Sequence, residues 1–129
     1  MSNNGCPDLP LKVKIALNEA MIHTEFELDR DILLEESKSY LDKVVEVMNE
    51  HPEYNMEILG HTDNLGEKGP LLSLSKSRAK KVVEYLISQG IDESRLKSDG
   101  FGGEDPIASN ESPSGRKQNE RIEFKVKFK

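Results

Sequence analysis

The chain has 129 residues, with 18 Lys and Arg against 24 Asp and Glu, three His and one Cys. That length suits one domain with a real core, and a net charge of −6 argues against nucleic acid as the main partner. The lone cysteine, Cys6, excludes a disulfide framework and a thiol metal cluster, and no apolar run reaches the roughly 18 residues that a membrane-spanning helix needs.

Residues 1–10, with Gly5, Pro7 and Pro10, read as a linker at the end of an upstream region. The opening M-S-N-N-G-C-P-D lacks a charged segment followed by an apolar one, so it is not a signal peptide. If the protein is exported, these residues belong to something longer. Val13, Ile15 and Leu17, then Ile22, Thr24 and Phe26, suggest an extended arm and a first strand. From Asp31 to Asn49, Leu33, Leu34, Ser37, Leu41, Val44, Val45 and Met48 fall at helical spacing, and His51-Pro52 closes that helix.

Asn55 to Gly60, carrying Met56 and Ile58, reads as a short strand, and 61–70 as a polar loop. A second helix runs from about Leu71 to Gln89 and stops at Gly90, a good residue for the left-handed position after a helix. Leu96 to Gly100 is a strand, 102–113 a loop, and Ser114 to Glu120 a single helical turn. The final strand alternates Ile122, Phe124, Val126 and Phe128 with Glu123, Lys125, Lys127 and Lys129, so one face is buried and one is wet. Helices must then cover one side of the sheet only. The expectation is a single α+β domain over 11–129: a two-layer βαβαββ sandwich with a mixed four-stranded sheet and helices on one face.

One residue breaks the apolar stripe of the second helix. Leu74, Arg78, Val82 and Leu86 are successive four-residue steps, which puts a guanidinium between Leu74 and Val82. It cannot lose its proton to suit a buried site, so it must meet an acceptor. Asp63, at the end of the strand before, is the candidate partner. The pair is either an internal salt bridge holding loop to helix, or a site for a ligand carrying both charges. A buried pair is weak evidence for stabilisation, because its desolvation can cost more than the attraction returns.

Several blocks follow in one order: G-H-T-D-N at 60–64, L-S-x-x-R-A at 74–79, V-x-x-Y-L at 82–86, D-G-F-G at 99–102, P-I-A-S-N at 106–110, G-R-x-x-N-x-R at 115–121 and I-E-F at 122–124. They resemble the peptidoglycan-binding domain of the OmpA/Pal/MotB family over roughly residues 11–129. The resemblance implies noncovalent anchoring of an outer-membrane component to the cell wall from the periplasm, with no enzymatic activity and no cofactor. It implies that Asp63 and Arg78 hold the free amino-acid end of diaminopimelate in the wall's stem peptide, with Thr62 and Asn64 meeting its carbonyls and hydroxyls. Arg121 matches an arginine near the family's pocket, and Glu27 an acidic position that borders it in some relatives. The membrane would be reached only through an upstream region. N-N-G-C-P-D-L-P resembles the last piece of a thrombospondin type-3-like calcium repeat, or is simply a linker holding a cysteine.

Two departures stand out. The family has Asn where Leu71 stands, which removes an amide that could reach the loop carrying Asp63. Its N-R-R reads Asn119-Glu120-Arg121 here, exchanging a positive charge for a negative one beside the pocket.

Rival chemistry finds less support. His61 and Asp63, two residues apart, tempt a metal or hydrolase assignment, but a metal needs a third ligand, and His61 is expected instead to hydrogen-bond and fix its loop. Ser73, Ser75 and Ser77 have no nucleophile elbow. Gly100-x-Gly102-Gly103 lacks the Lys-Ser/Thr ending of a phosphate loop and reads as a turn. A protein-interaction module with a purely structural Asp63–Arg78 pair remains the alternative function.

Overall fold

A computed structural model describes residues 9–28 and 30–128. The elements run α1 (Leu11–His23), α2 (Lys38–Glu50), β1 (Tyr54–His61), α3 (Lys68–Ser88), β2 (Leu96–Gly100), α4 (Pro113–Asn119) and β3 (Arg121–Phe128), with short 3-10 turns at 35–37 and 93–95. The α+β class is as expected. Among the described residues the sheet has three strands, not four, in the order β2-β1-β3, with β1 parallel to β2 and antiparallel to β3.

The expected first strand is a helix. Val13, Leu17 and Ala20 are the buried residues of α1, at four- and three-residue steps, while Leu11, Ile15 and Ile22 are exposed. The alternation of Val13, Ile15 and Leu17 suggested β structure, but Lys, Ala, Leu, Glu and Met around them favour a helix. Phe26 makes only an isolated bridge, to Leu33. Of the linker, residues 1–8 with Cys6 lie outside the described residues, and Pro10 stands just before α1.

Tyr54, Met56, Ile58 and Gly60 pair with Phe128, Val126, Phe124 and Ile122, and these positions make the core face. The helices pack there: Val13 and Leu17 of α1, Leu41, Val44 and Met48 of α2, and Ala79, Val82 and Leu86 of α3 join Met56, Ile58 and Ile122 in one cluster. On the opposite face Glu57 meets Lys127 at 3.7 Å, the wet side that the alternation of β3 requires.

Two glycines set how closely α3 approaches. Gly60 and Gly100 are partners across β1 and β2, and a Cβ on either would strike the backbone of Ser75. Ser75 is therefore wedged against the sheet. Its hydroxyl donates to Leu72 O at 2.8 Å and accepts from Gly102 N at 2.9 Å. At the other end α3 stops as its sequence predicts. Gly90 has φ of 102°, Gly90 N donates to Ile87 O and Ile91 N to Leu86 O, and buried Ile91 joins Leu86 in the core.

Candidate functional site

The C-terminal end of β1 opens into a cleft of about 350 Å³ between residues 24–28, α3 and α4, with Asp63, Arg78, Glu120 and Arg121 in its wall. Asp63 is buried, and its Oδ1 accepts from Leu65 N at 2.9 Å, an Asx turn that curls the loop. Thr62 N donates to Gly102 O at 2.8 Å, and the Thr62 hydroxyl donates to Asp63 O at 2.7 Å. A Cβ on Gly103 would strike Asp63 O, so the loop after β2 braces the loop carrying Asp63 directly.

Arg78 is 7% exposed, as its place on the apolar stripe predicts. Its Nε donates to Arg30 O at 2.8 Å and its Nη2 to Glu27 O at 3.4 Å, while the Phe26 ring lies 5.2 Å beneath the guanidinium. Nearby, the Ser77 hydroxyl donates to Asp31 at 2.5 Å, and that bond is the main cause holding the Asp31 carboxyl below its usual value. Arg78 thus binds Phe26, Glu27 and Arg30 to α3.

The expected ion partner is corrected. Arg78 Nη1 pairs with Glu120 Oε1 at 3.4 Å, not with Asp63. Glu120 lies beside Asp63: burial, then the hydrogen bond and charge of Asp63, push its carboxyl above the ordinary value, against the pull of Arg78. Asp63 and Glu120 therefore stand together at Arg78, and the carboxylate that pairs with the guanidinium is Glu120 rather than Asp63.

The other residues picked out from the sequence divide. Arg121 lines the cleft but is held inside the protein, by Glu123 at 2.8 Å and by the carbonyls of Asn119 and Asp105 at 3.1 Å. Glu27 contributes its carbonyl to Arg78, and its carboxylate turns to Arg30 at 3.9 Å. Thr62 is buried behind the loop. Asn64 lies with Leu71 and Gly66 in a second cavity that shares no lining residue with the cleft, so Leu71 is not in the wall that holds Arg78 and Glu120. His61 lines the cleft at 3% exposure and stacks on Phe101, with centroids 5.3 Å apart. The expected loop-fixing hydrogen bond is not made: among the described residues neither ring nitrogen has a hydrogen-bond partner, and Nε2 stands 3.5 Å from Glu123 Oε1. Burial, reinforced by Arg121, pushes the imidazole down and favours its neutral form. Among the described residues no group of three or more His, Cys, Asp or Glu is placed to hold a metal ion.

Sequence reasoning missed Phe26, read as a strand residue, and the partnership of Glu120 with Arg78. It also gave no role to Asn119, which is fully buried. Asn119 accepts from Ile107 N and Ala108 N and donates to Ala108 O and Asn110 Oδ1, fixing the loop before α4. The signal for Asn119 was its place in the G-R-x-x-N block.

Comparison with known proteins gives the same frame. The OmpA family profile matches residues 25–120. Outer membrane protein A of Bordetella avium is 33% identical over 117 residues, 91% of this chain and 59% of that protein. Peptidoglycan-binding protein ArfA of Mycobacterium tuberculosis is 38% identical over 86 residues, 67% of this chain and 26% of its own length. The chain thus spans less than two thirds of these curated relatives. Among solved structures, the C-terminal domain of Helicobacter pylori MotB superposes with a TM-score of 0.75 at 23% identity, covering 83% of this chain and 84% of that one. The peptidoglycan-associated lipoprotein from Burkholderia pseudomallei gives 0.76 at 21%, covering 87% and 93%. At such identities the likeness shows the fold.

Proposed function

The chain belongs to the OmpA family, and from that premise we propose that it binds peptidoglycan noncovalently and without enzymatic activity. In this proposal it works in the periplasm, as the wall-gripping domain (residues 11–129) of an outer-membrane protein. The ligand is the diaminopimelate of the stem peptide, whose side-chain end enters the cleft. Asp63 accepts from its ammonium, and Arg78 faces the group beside it. One observation carries this reading: a buried carboxylate and a buried guanidinium open into one cleft of ligand size. ArfA, whose name states peptidoglycan binding, aligns with two thirds of the chain.

Co-sedimentation with isolated peptidoglycan tests it. Asp63→Asn is the informative variant, because the amide oxygen can still accept from Leu65 N while the charge is gone. Losing one partner of a desolvated charge pair costs about 2–5 kcal/mol, roughly 30-fold to several-thousand-fold in affinity. The wild type should sediment with the wall and Asp63→Asn should stay in solution. A folded Asp63→Asn that still sediments would remove Asp63 from the grip, and a wild type that stays in solution would favour the alternative, a protein-interaction module in which these charges are structural.

A further inference from the structure

The family resemblance makes Arg78 the receptor for a ligand carboxylate, yet in this chain that guanidinium already has acceptors. Its Nε and Nη2 are turned to the carbonyls of Arg30 and Glu27, and its Nη1 to the carboxylate of Glu120. The other cations of the cleft wall are engaged as well: Arg121 by Glu123, Arg116 by Asn110 O at 2.9 Å, and Lys117 by Glu25 at 3.2 Å. Asp63 and Glu120 stand side by side, so the immediate surroundings of Arg78 are rich in acceptors, with two carboxylates beside one guanidinium.

A carboxylate is acceptor-only, and entering beside Glu120 it would meet a like charge. A primary carboxamide has the same shape, carries no charge, and is both donor and acceptor. Its N–H groups suit the Glu120 carboxylate and its carbonyl suits Arg78. The ammonium next to it suits Asp63 in either case.

We propose that Glu120 is a specificity-determining residue that fills the carboxylate place at Arg78, so that this cleft selects an amine flanked by a carboxamide over one flanked by a free carboxylate. In wall chemistry that ligand is a stem peptide whose diaminopimelate is amidated on the carboxyl beside its side-chain amine. The inference rests on the stem-peptide reading above and narrows it. It also sets apart the lysine-type peptide, which keeps the amine and lacks the carboxylate. Because Glu120 already pairs with Arg78, such a peptide leaves no bare buried cation, and the penalty otherwise expected for it is softened.

Two synthetic stem peptides, identical except for carboxylate or carboxamide at that position, test this by calorimetry at neutral pH against the wild type and Glu120→Gln. The wild type should bind the carboxamide about tenfold more tightly, the worth of one charge-assisted hydrogen bond exchanged for a like-charge contact. In Glu120→Gln the carboxylate peptide should gain and the ratio should collapse or invert. A wild type that prefers the carboxylate peptide, or an unchanged preference in Glu120→Gln, would overturn the role of Glu120 and leave stem-peptide binding intact. If neither peptide binds either protein, the stem-peptide reading itself fails and takes the inference with it. The wild-type comparison needs no variant, and Glu120→Ala, which removes the carboxylate outright, stands in should Glu120→Gln fail to fold.

Discussion

At the scale of single residues, the cleft is governed by charges that burial makes consequential. The need of Arg78 for an acceptor was legible, because only four-residue steps were required to place it on the buried stripe of α3. Its partner was not legible, since Glu120 lies 42 positions away and is brought in by the packing of α4. Local spacing favoured Asp63, which is nearer in sequence and ends up as the neighbour of Glu120. The titration of Glu120 gives a test of this placement. Burial first, then Asp63, hold its carboxyl above 4.5, with Arg78 opposing and with His61, Lys117 and Arg121 on the same cleft wall. A raised carboxyl contributes stability that is fully present below its unfolded value of 4.5 and is lost as pH rises through the higher folded value. Glu120→Gln cannot ionise, so it should escape that loss. Thermal denaturation should find the variant more stable relative to wild type at pH 7 than at about pH 4. An equal difference at both pH values would mean that Glu120 is not strained by its site.

At the scale of elements, the strongly periodic segments were legible and the arm before them was not. β2 runs from Leu96 to Gly100 as read, and α3 ends at Ser88, with Gly90 just beyond it in the left-handed conformation that stops the helix. The N-terminal segment was misread because Val13-Lys14-Ile15-Ala16-Leu17 satisfies alternation and helical spacing at once, and burial chose the helix through Val13, Leu17 and Ala20. The importance of Gly60 and Gly100 could not be read from the chain, since both matter through a neighbour in another element. Gly60→Ala should force Ser75 off the sheet and cost at least about 1–3 kcal/mol, read as a lower denaturant midpoint; an unchanged midpoint would show that α3 can shift freely. Leu71→Asn separates the two cavities. Leu71 packs toward Gly66 in the second one, so the change should lower stability by about 1 kcal/mol and leave peptide affinity unchanged. Tighter binding would restore the pocket role that the family's Asn suggests.

At the scale of the molecule, the parts converge on the end of β1. The sheet supplies the base, α3 presents Arg78, residues 24–28 and 30 pack over it, and the turn from α4 into β3 delivers Glu120 and Arg121. No helix among the described residues is long and apolar enough to cross a membrane. Backbone amide NMR during titration with a soluble diaminopimelate stem peptide tests most directly whether the wall is gripped here. Binding in the cleft predicts saturable shifts at Phe26, Asp63, Arg78 and Glu120, small effects at Gly69 and Glu104 in the second cavity, and a peptide recovered uncut. Shifts confined to the second cavity, or none at saturating peptide, would contradict it.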